Sequence, residues 1–80
     1  MTITILAFGI ARDLFGDRTI KLDLKGGETV AEVMSLLKDR YEGLKQLKSV
    51  VLAVNEDYVE DDYQIKSGDE LAIIPPVSGG

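Results

Sequence analysis

The fold is decided by residues 20–41, which read IKLDLKGGETVAEVMSLLKDRY. The first six positions alternate between apolar and charged side chains, a pattern typical of an antiparallel strand with one face in water. The Gly26-Gly27 pair that follows predicts a turn. Beyond it, apolar side chains recur at helical spacing. This stretch therefore predicts a strand, a turn and an amphipathic helix in succession.

The predicted helix carries its own start signal. Thr29 followed by Glu32 is the pattern of a capping box, in which the two side chains bind free backbone N–H groups at the helix start. Gly43 is a suitable stop, and Leu44 is placed to close the end of the helix. One apolar stripe has to be buried: Val30, Val33, Met34, Leu37 and Tyr41.

Apolar segments on both sides of this unit predict further strands. Residues 2–8 are rich in β-branched and apolar side chains, and a polar loop with one helical turn at residues 11–15 follows them. The unbroken apolar run 50–54 predicts a strand buried on both faces. A brief edge strand at residues 58–59 and a last strand at residues 71–74 each follow a short polar turn.

We therefore expect an α+β fold, in which one main helix covers one face of a mixed sheet of four or five strands. The sheet residues expected to face the helix, themselves or through their pleat neighbours, are Ile3, Ile5, Ile20, Leu22, Val51, Ala53, Leu71 and Ile73.

Composition limits the chemistry that the chain can perform. Eighty residues, 45% of them hydrophobic and 29% charged, make one small globular domain. Cysteine and histidine are both absent, which excludes disulfides, thiolate metal sites and the commonest general base. No apolar run approaches the ~20 residues of a membrane span, and no signal peptide is visible. We expect a cytoplasmic protein that binds no metal or cofactor and is not an enzyme on its own.

The acidic charge is confined to one part of the chain. Residues 1–48 carry eight basic and seven acidic residues, a net of +1, whereas residues 49–80 carry one basic and seven acidic residues, a net of −6. The total of −5 argues against a nucleic-acid partner. The acidic part is either a solvated surface or a surface that steers the domain onto a basic protein partner.

Two weaker signals have simple structural explanations. The Gly26-Gly27 pair before a helix could hold a phosphate, but no P-loop or dinucleotide-binding pattern accompanies it, which favours a plain turn. Five acids could bind calcium, but they lack the spacing and the central glycine of an EF-hand loop. A solvated hairpin is favoured for these acids: Glu56, Asp57, Glu60, Asp61 and Asp62.

The last six residues point to function. The sequence divides into a body, residues 1–74, and an extended tail, residues 75–80, which reads PPVSGG. Two prolines joined directly to the last strand direct the tail away from the sheet in an extended form. Six residues reach about 20 Å, and a tip without side chains can enter a narrow tunnel and place its carboxylate inside a partner.

Five segments carry a family resemblance over the whole chain. They read ARDLFG at residues 11–16, TVAE at 29–32, AVNEDYV at 53–59, SGDE at 67–70 and IPPVSGG at 74–80. Within the ubiquitin-like β-grasp fold, the chain resembles the small sulfur-carrier subunits of molybdopterin synthase. The Pro-Pro-Val-Ser-Gly-Gly ending is the most specific of these matches, because carriers for thiazole synthesis share Gly-Gly but usually lack Pro-Pro-Val.

The resemblance implies a mechanism centred on Gly80. An adenylating enzyme of the ubiquitin-activating type would use ATP to adenylate the Gly80 carboxylate, and a sulfur donor would convert it to a thiocarboxylate. The tail would then enter the large subunit, in an expected assembly of two small and two large subunits, and deliver sulfur to cyclic pyranopterin monophosphate. Gly79 keeps the tip narrow. Residues expected to bind partners are Phe8, Ile74, Pro75, Pro76, Val77 and Ser78.

Other roles remain open at this point. The same tail could serve a sulfur carrier for thiazole synthesis or tRNA thiolation. It could also serve a protein modifier that is joined through Gly80 to lysines of target proteins. A last alternative is a plain binding module whose tail has no chemical role.

Overall fold

The computed structural model describes residues 1–47 and 49–75. Within them, five strands form one mixed sheet in the order β2-β1-β5-β3-β4. The strands are β1 (Thr2–Ala7), β2 (Thr19–Asp23), β3 (Val51–Val54), β4 (Asp57–Tyr58) and β5 (Glu70–Ile74). The helices are α1 (Ile10–Phe15) and α2 (Val30–Arg40), and a 3-10 helix (Glu42–Gln46) follows α2.

The first and last strands meet at the centre of the sheet. β1 pairs with β5 in parallel, with Ile5 opposite Leu71, and on its other side pairs antiparallel with β2, with Ile5 opposite Ile20. β5 also pairs antiparallel with β3, which places Val54 opposite Leu71. The Ile5 and Leu71 side chains are fully buried. The C-terminal strand is thus held between two neighbours.

The predicted start of α2 is confirmed. The Thr29 hydroxyl accepts a hydrogen bond from the Glu32 backbone N–H at 3.3 Å, and the Glu32 carboxylate accepts one from the Thr29 backbone N–H at 3.0 Å. Val30, Val33 and Leu37 have no exposed surface, so the predicted stripe is the buried face of the helix. Each buried aliphatic side chain of this size contributes about 1.5–3 kcal/mol of hydrophobic free energy.

α2 ends before the predicted stop: its last residue is Arg40, and Gly43 lies inside the 3-10 helix that follows. The Tyr41 backbone N–H donates to the Leu37 carbonyl at 2.7 Å, and the chain then continues into the 3-10 helix. Leu44 is buried there and belongs to the same hydrophobic core as Val33. The Tyr41 ring packs against Phe15 of α1 at a centroid distance of 4.7 Å. The small helix α1 is therefore part of the packed body.

In β3 the core-facing residues are the pleat neighbours of the two residues named from the sequence. Val51 is 44% exposed, and Ala53 is buried but lies outside the core cluster, so neither faces α2. The residues of β3 that face the core are Leu52 and Val54. An unbroken apolar run contains no alternation, so only the pairing with β5 could fix which side chains point inward. The expectation of a strand buried on both faces is wrong for Val51.

Other differences between the prediction and the structure concern an edge strand of the sheet and the ends of the strands and helices. Ile20 is half-buried rather than fully buried, because β2 is an edge strand of the sheet. β1 ends at Ala7, one residue earlier than predicted, so Phe8 lies just beyond the strand. β2 and β4 are each shifted by one or two residues from the predicted ranges, and the single helical turn is a six-residue helix.

Replacement of Val33 by Asp should destabilise the fold severely. The carboxylate would be placed, without a partner, at a position with no exposed surface. We expect a loss of several kcal/mol from a free energy of unfolding of about 5–15 kcal/mol, measured by thermal or urea denaturation. Ser35→Asp, on the exposed face of the same helix, is the matched control. Equal melting curves for the two variants would contradict the assigned helix face.

Glu28 should make the fold sensitive to acid. The backbone N–H groups of Lys25 and Gly26 donate to its carboxylate at 2.9 and 2.7 Å, and these hydrogen bonds lower the pKa of Glu28. A carboxyl with a lowered pKa stabilises the folded state above its unfolded pKa, and this contribution is lost as pH falls through the folded pKa. The difference in Tm between the unsubstituted chain and Glu28→Gln should therefore be largest at neutral pH and shrink in acid.

The exposed Glu60→Gln is the control for this measurement. Circular dichroism melts over a pH series would show the effect. A Tm difference for Glu28→Gln that stayed constant down to strongly acidic pH would mean that the turn hydrogen bonds do not favour the ionised carboxylate.

Candidate functional site

The root of the tail lies beside the end of β1. The backbone N–H of Phe8 donates to the Ile73 carbonyl at 3.2 Å, which holds the chain after β1 against the end of β5. A Cβ at Gly9 would lie 3.7 Å from Cγ of Pro75, so the two residues are adjacent in space. Gly9 has a φ of 56°, a left-handed conformation that favours glycine. Three of the predicted site residues, Phe8, Ile74 and Pro75, are therefore neighbours.

The remaining predicted site residues lie outside the described part of the chain. They are Pro76, Val77, Ser78, Gly79 and Gly80. Their roles at the tip of the tail stay predictions. The described structure fixes the position of Pro75, the residue that precedes them.

The sheet face opposite α2 carries exposed apolar side chains close to this root. Phe8 is 48% exposed and Tyr58 is 79% exposed, and both line a shallow groove of about 270 Å³. Clustered exposed apolar groups of this kind mark binding surfaces more often than isolated ones do. We call this surface the outer-face groove, and its apolar lining consists of Leu6, Phe8, Ala53, Tyr58, Ala72 and Ile74.

The outer face is apolar only in part. Near β2 it is polar, since the Lys21 ammonium donates to the Thr4 hydroxyl at 2.8 Å and the Thr2 hydroxyl donates to Asp23 at 2.7 Å. The carboxyl-terminal ends of β1 and β5 carry Leu6 and Ile74 on the same face instead. The apolar half of the outer face is thus the half from which the tail leaves.

Acidic groups border this groove. Glu56 and Glu70 line it together with the apolar side chains. Both belong to the part of the sequence, residues 49–80, that has a net charge of −6. Apolar contact surface with a negative border fits a partner whose docking surface is basic around an apolar centre.

A buried aspartate, which the sequence shows only as part of a turn, organises this end of the sheet. Asp69 is 7% exposed and accepts hydrogen bonds from the Asn55 side-chain amide at 2.9 Å and from the Lys66 backbone at 2.8 Å. The Asn55 side-chain oxygen in turn accepts from the Glu70 backbone N–H at 3.0 Å. These bonds tie the β3–β4 hairpin to the first residues of β5, and only their three-dimensional proximity reveals them.

The structure supports a plain turn at Gly26-Gly27. The first N–H groups of α2 are already used, because Val30 donates to the Tyr63 carbonyl at 2.9 Å and Ala31 to the Asp61 carbonyl at 3.0 Å. The Glu28 carboxylate occupies the N–H groups of the turn itself. A phosphate would have to displace these protein partners.

Residues 1–47 and 49–75 lack two structural features, a cluster of metal-ligating side chains and a long apolar helix. There, no three acidic side chains are placed so that they could hold a metal ion. In the same residues, no helix has the length and the apolar character that a crossing of the bilayer demands.

Comparison with known proteins identifies the family. Residues 5–80 match the model of the ThiS family. The chain is also 40% identical over 79 residues to the molybdopterin synthase sulfur carrier subunit of Arabidopsis thaliana, a match that covers 98% of this chain and 82% of that relative. The chain belongs to the ThiS family, and the resemblance read from its sequence is confirmed.

Solved structures confirm the ubiquitin-like β-grasp fold. SAMP1 from Haloferax volcanii matches with a TM-score of 0.87 and 25% identity over 100% of both chains. Subunit 1 of a putative molybdopterin converting factor from Pyrococcus furiosus matches with a TM-score of 0.88 and 28% identity, over 96% of this chain and 99% of that one. The predicted α+β class, mixed sheet and single main helix are therefore correct.

Proposed function

We propose that this protein is the sulfur-carrier subunit of molybdopterin synthase and serves the biosynthesis of the molybdenum cofactor. The observation that carries the proposal is the family match that extends through the Pro75–Gly80 motif, together with relatives named as sulfur carrier subunits that match 95–98% of this chain. The absence of cysteine and histidine agrees with a carrier whose partners supply the catalytic bases.

The proposed chemistry takes place at the Gly80 carboxylate. A carboxylate is a poor acylating group, so an adenylating enzyme of the ubiquitin-activating type joins it to AMP at the expense of ATP and releases pyrophosphate. A sulfur donor then displaces AMP and leaves one sulfur in place of one oxygen. The resulting thiocarboxylate is ionised and nucleophilic near neutral pH, as a thiolate is. It delivers its sulfur to cyclic pyranopterin monophosphate.

In this proposal, the body of the domain holds the start of the tail in a fixed position. β5 is hydrogen-bonded on both sides up to its last residues, so Ile74 has a fixed position in the sheet and Pro75 follows it directly. Proline restricts φ, and an extended segment of six residues reaches about 20 Å. A fixed root and a narrow Gly79-Gly80 tip together let the reactive group enter a tunnel in another protein while the body stays outside.

The outer-face groove supports a docking role beside the tail. We propose that it packs on the large subunit, which holds the catalytic groups, in an assembly of two small and two large subunits. Apolar contact at Phe8 and Ile74 would supply affinity, and the acidic residues 49–80 would guide the approach. The cytoplasmic location expected from the sequence stays a prediction.

A second candidate function is protein modification through Gly80. The match with SAMP1, named in a related structure from the same organism as small archaeal modifier protein 1, is the observation in its favour. In that role the activated carboxylate would form an isopeptide bond with a lysine rather than accept sulfur. Carriers for thiazole synthesis or tRNA thiolation share the first steps and differ in the final acceptor.

Removal of Gly79 and Gly80 should leave the fold intact and abolish sulfur transfer. Neither residue has a side chain to pack, so the Tm should not change. Adenylation, thiocarboxylate formation and molybdopterin synthesis should all be lost in an assay with purified partners. One extra residue after Gly80 should be nearly as damaging, because it moves the carboxylate by about 3.5 Å. Normal turnover by the shortened chain would disprove the sulfur-carrier proposal.

Phe8→Ala should weaken binding to the large subunit by about tenfold or more, as loss of an aromatic anchor does. Leu36→Ala is the control, because Leu36 has a similar exposed fraction, 45% against 48%, but lies on α2. Titration calorimetry measures both affinities, and melting curves check that both variants are folded. Equal affinities would place the docking surface elsewhere than on the outer face.

A further inference from the structure

The hairpin between β3 and β4 contains a residue in an unfavourable backbone conformation. Val54 pairs with Asp57, so the loop has only two residues, Asn55 and Glu56. Their φ values are 50° and 75°. Positive φ at both positions is the requirement of a type I′ turn, which strongly favours Asn-Gly. Asn55 satisfies this preference, whereas Glu56 occupies the position where glycine is favoured.

Local structure gives no reason for a glutamate at this position. The side-chain hydrogen bonds that hold the loop to β5 come from Asn55, which contacts Asp69 and the Glu70 backbone. The Glu56 side chain is exposed. A residue held in a sparsely populated conformation destabilises the fold, and such residues cluster at functional sites.

The Glu56 side chain stands at the proposed docking surface. Glu56 and Glu70 line the same groove as Phe8, Tyr58 and Ile74. A carboxylate that borders an apolar groove fits a cationic side chain placed next to an apolar one on the partner. Neighbouring acids such as Glu60 do not line this groove, so Glu56 and Glu70 are distinguished by position from the other acids of this part of the chain.

We propose that Glu56 is a specificity-determining residue, retained in a strained turn because its carboxylate pairs with a lysine or arginine of the large subunit that docks on the outer-face groove. This inference rests on the proposed function. It predicts that a substitution of Glu56 that relieves the strain stabilises the fold but weakens binding to the large subunit.

Three variants separate strain from charge. Glu56→Gly relieves the strain and removes the carboxylate, Glu56→Gln removes the charge alone, and Glu60→Gln removes an equal charge outside the groove. Glu56→Gly should raise Tm by about 4 °C, the shift of a ~1 kcal/mol gain in a domain of this size, even after the greater freedom of glycine in the unfolded chain. Glu56→Gln should leave Tm unchanged.

Binding to the purified large subunit is measured by titration at low and high salt. Both Glu56 variants should bind about three- to fivefold more weakly at low salt, as expected for a partly exposed ion pair, and the difference should shrink at high salt. Glu60→Gln should bind like the unsubstituted chain, because it changes the net charge equally without touching the groove.

The outcomes distinguish this inference from the proposed function. The specificity role of Glu56 is wrong if Glu56→Gln binds the large subunit as tightly as the unsubstituted chain or Glu60→Gln does. In that case the docking surface is still supported, provided that the unsubstituted chain binds and Phe8→Ala weakens binding. A Tm that does not rise in Glu56→Gly would disprove the strain. If the unsubstituted chain does not bind the large subunit, both the proposed function and this inference fail.

Discussion

The parallel pairing of β1 with β5 is the constraint on which the rest of the molecule depends. It joins the two ends of the chain at the centre of the sheet, with Leu6 opposite Ala72 and Ala7 opposite Ile73. Parallel strands need a long crossover connection, and that connection contains α2, which covers one face of the sheet. Because parallel strands end at the same edge, Phe8 and Pro75 come together there. The tail root and the outer-face groove are consequences of this pairing.

The two faces of the sheet differ in their contacts: one packs against α2 and stabilises the fold, and the other is available for binding. The face toward α2 is closed by fully buried side chains such as Ile5, Val33 and Leu71. The opposite face leaves Phe8 and Tyr58 exposed next to the tail root. A carrier needs this division, because its body must keep one shape while its reactive end is handed from one enzyme to the next. In the proposed function, the chemistry belongs to those enzymes and to a carboxylate at the end of the chain.

Local signals in the sequence predicted local structure well. The capping box at Thr29 and Glu32 predicted the start of α2, and the alternation after Ile20 predicted an antiparallel strand with one face in water, which is β2. The apolar run of β3 lacks such a signal, and its inward-facing residues follow from pairing with a strand about twenty positions away. The hydrogen bonds of Asp69 and the strain at Glu56 also depend on tertiary geometry, so sequence alone could not reveal them.

The site was predicted in a different way from the fold. Periodicity and turn residues indicated the sheet and helix, but they carry no information about sulfur or molybdopterin. The function came from the resemblance carried above all by the Pro75–Gly80 motif, and the match to the ThiS family then confirmed membership. In the proposed function, the composition of the motif suits sulfur delivery, because it combines two prolines, two glycines without side chains and the reacting carboxylate of Gly80. The groove beside Phe8 became visible only when the strands were paired.

The most direct measurement is the mass of the protein after incubation with the adenylating enzyme, ATP and a sulfur donor. The account predicts a gain equal to one sulfur-for-oxygen exchange, located by fragmentation in the peptide that ends in Gly79-Gly80. Treatment of the product with the large subunit and the pterin precursor should return the original mass. A chain that gains no sulfur, or that is recovered only in isopeptide linkage to lysines of other proteins, would contradict the carrier role.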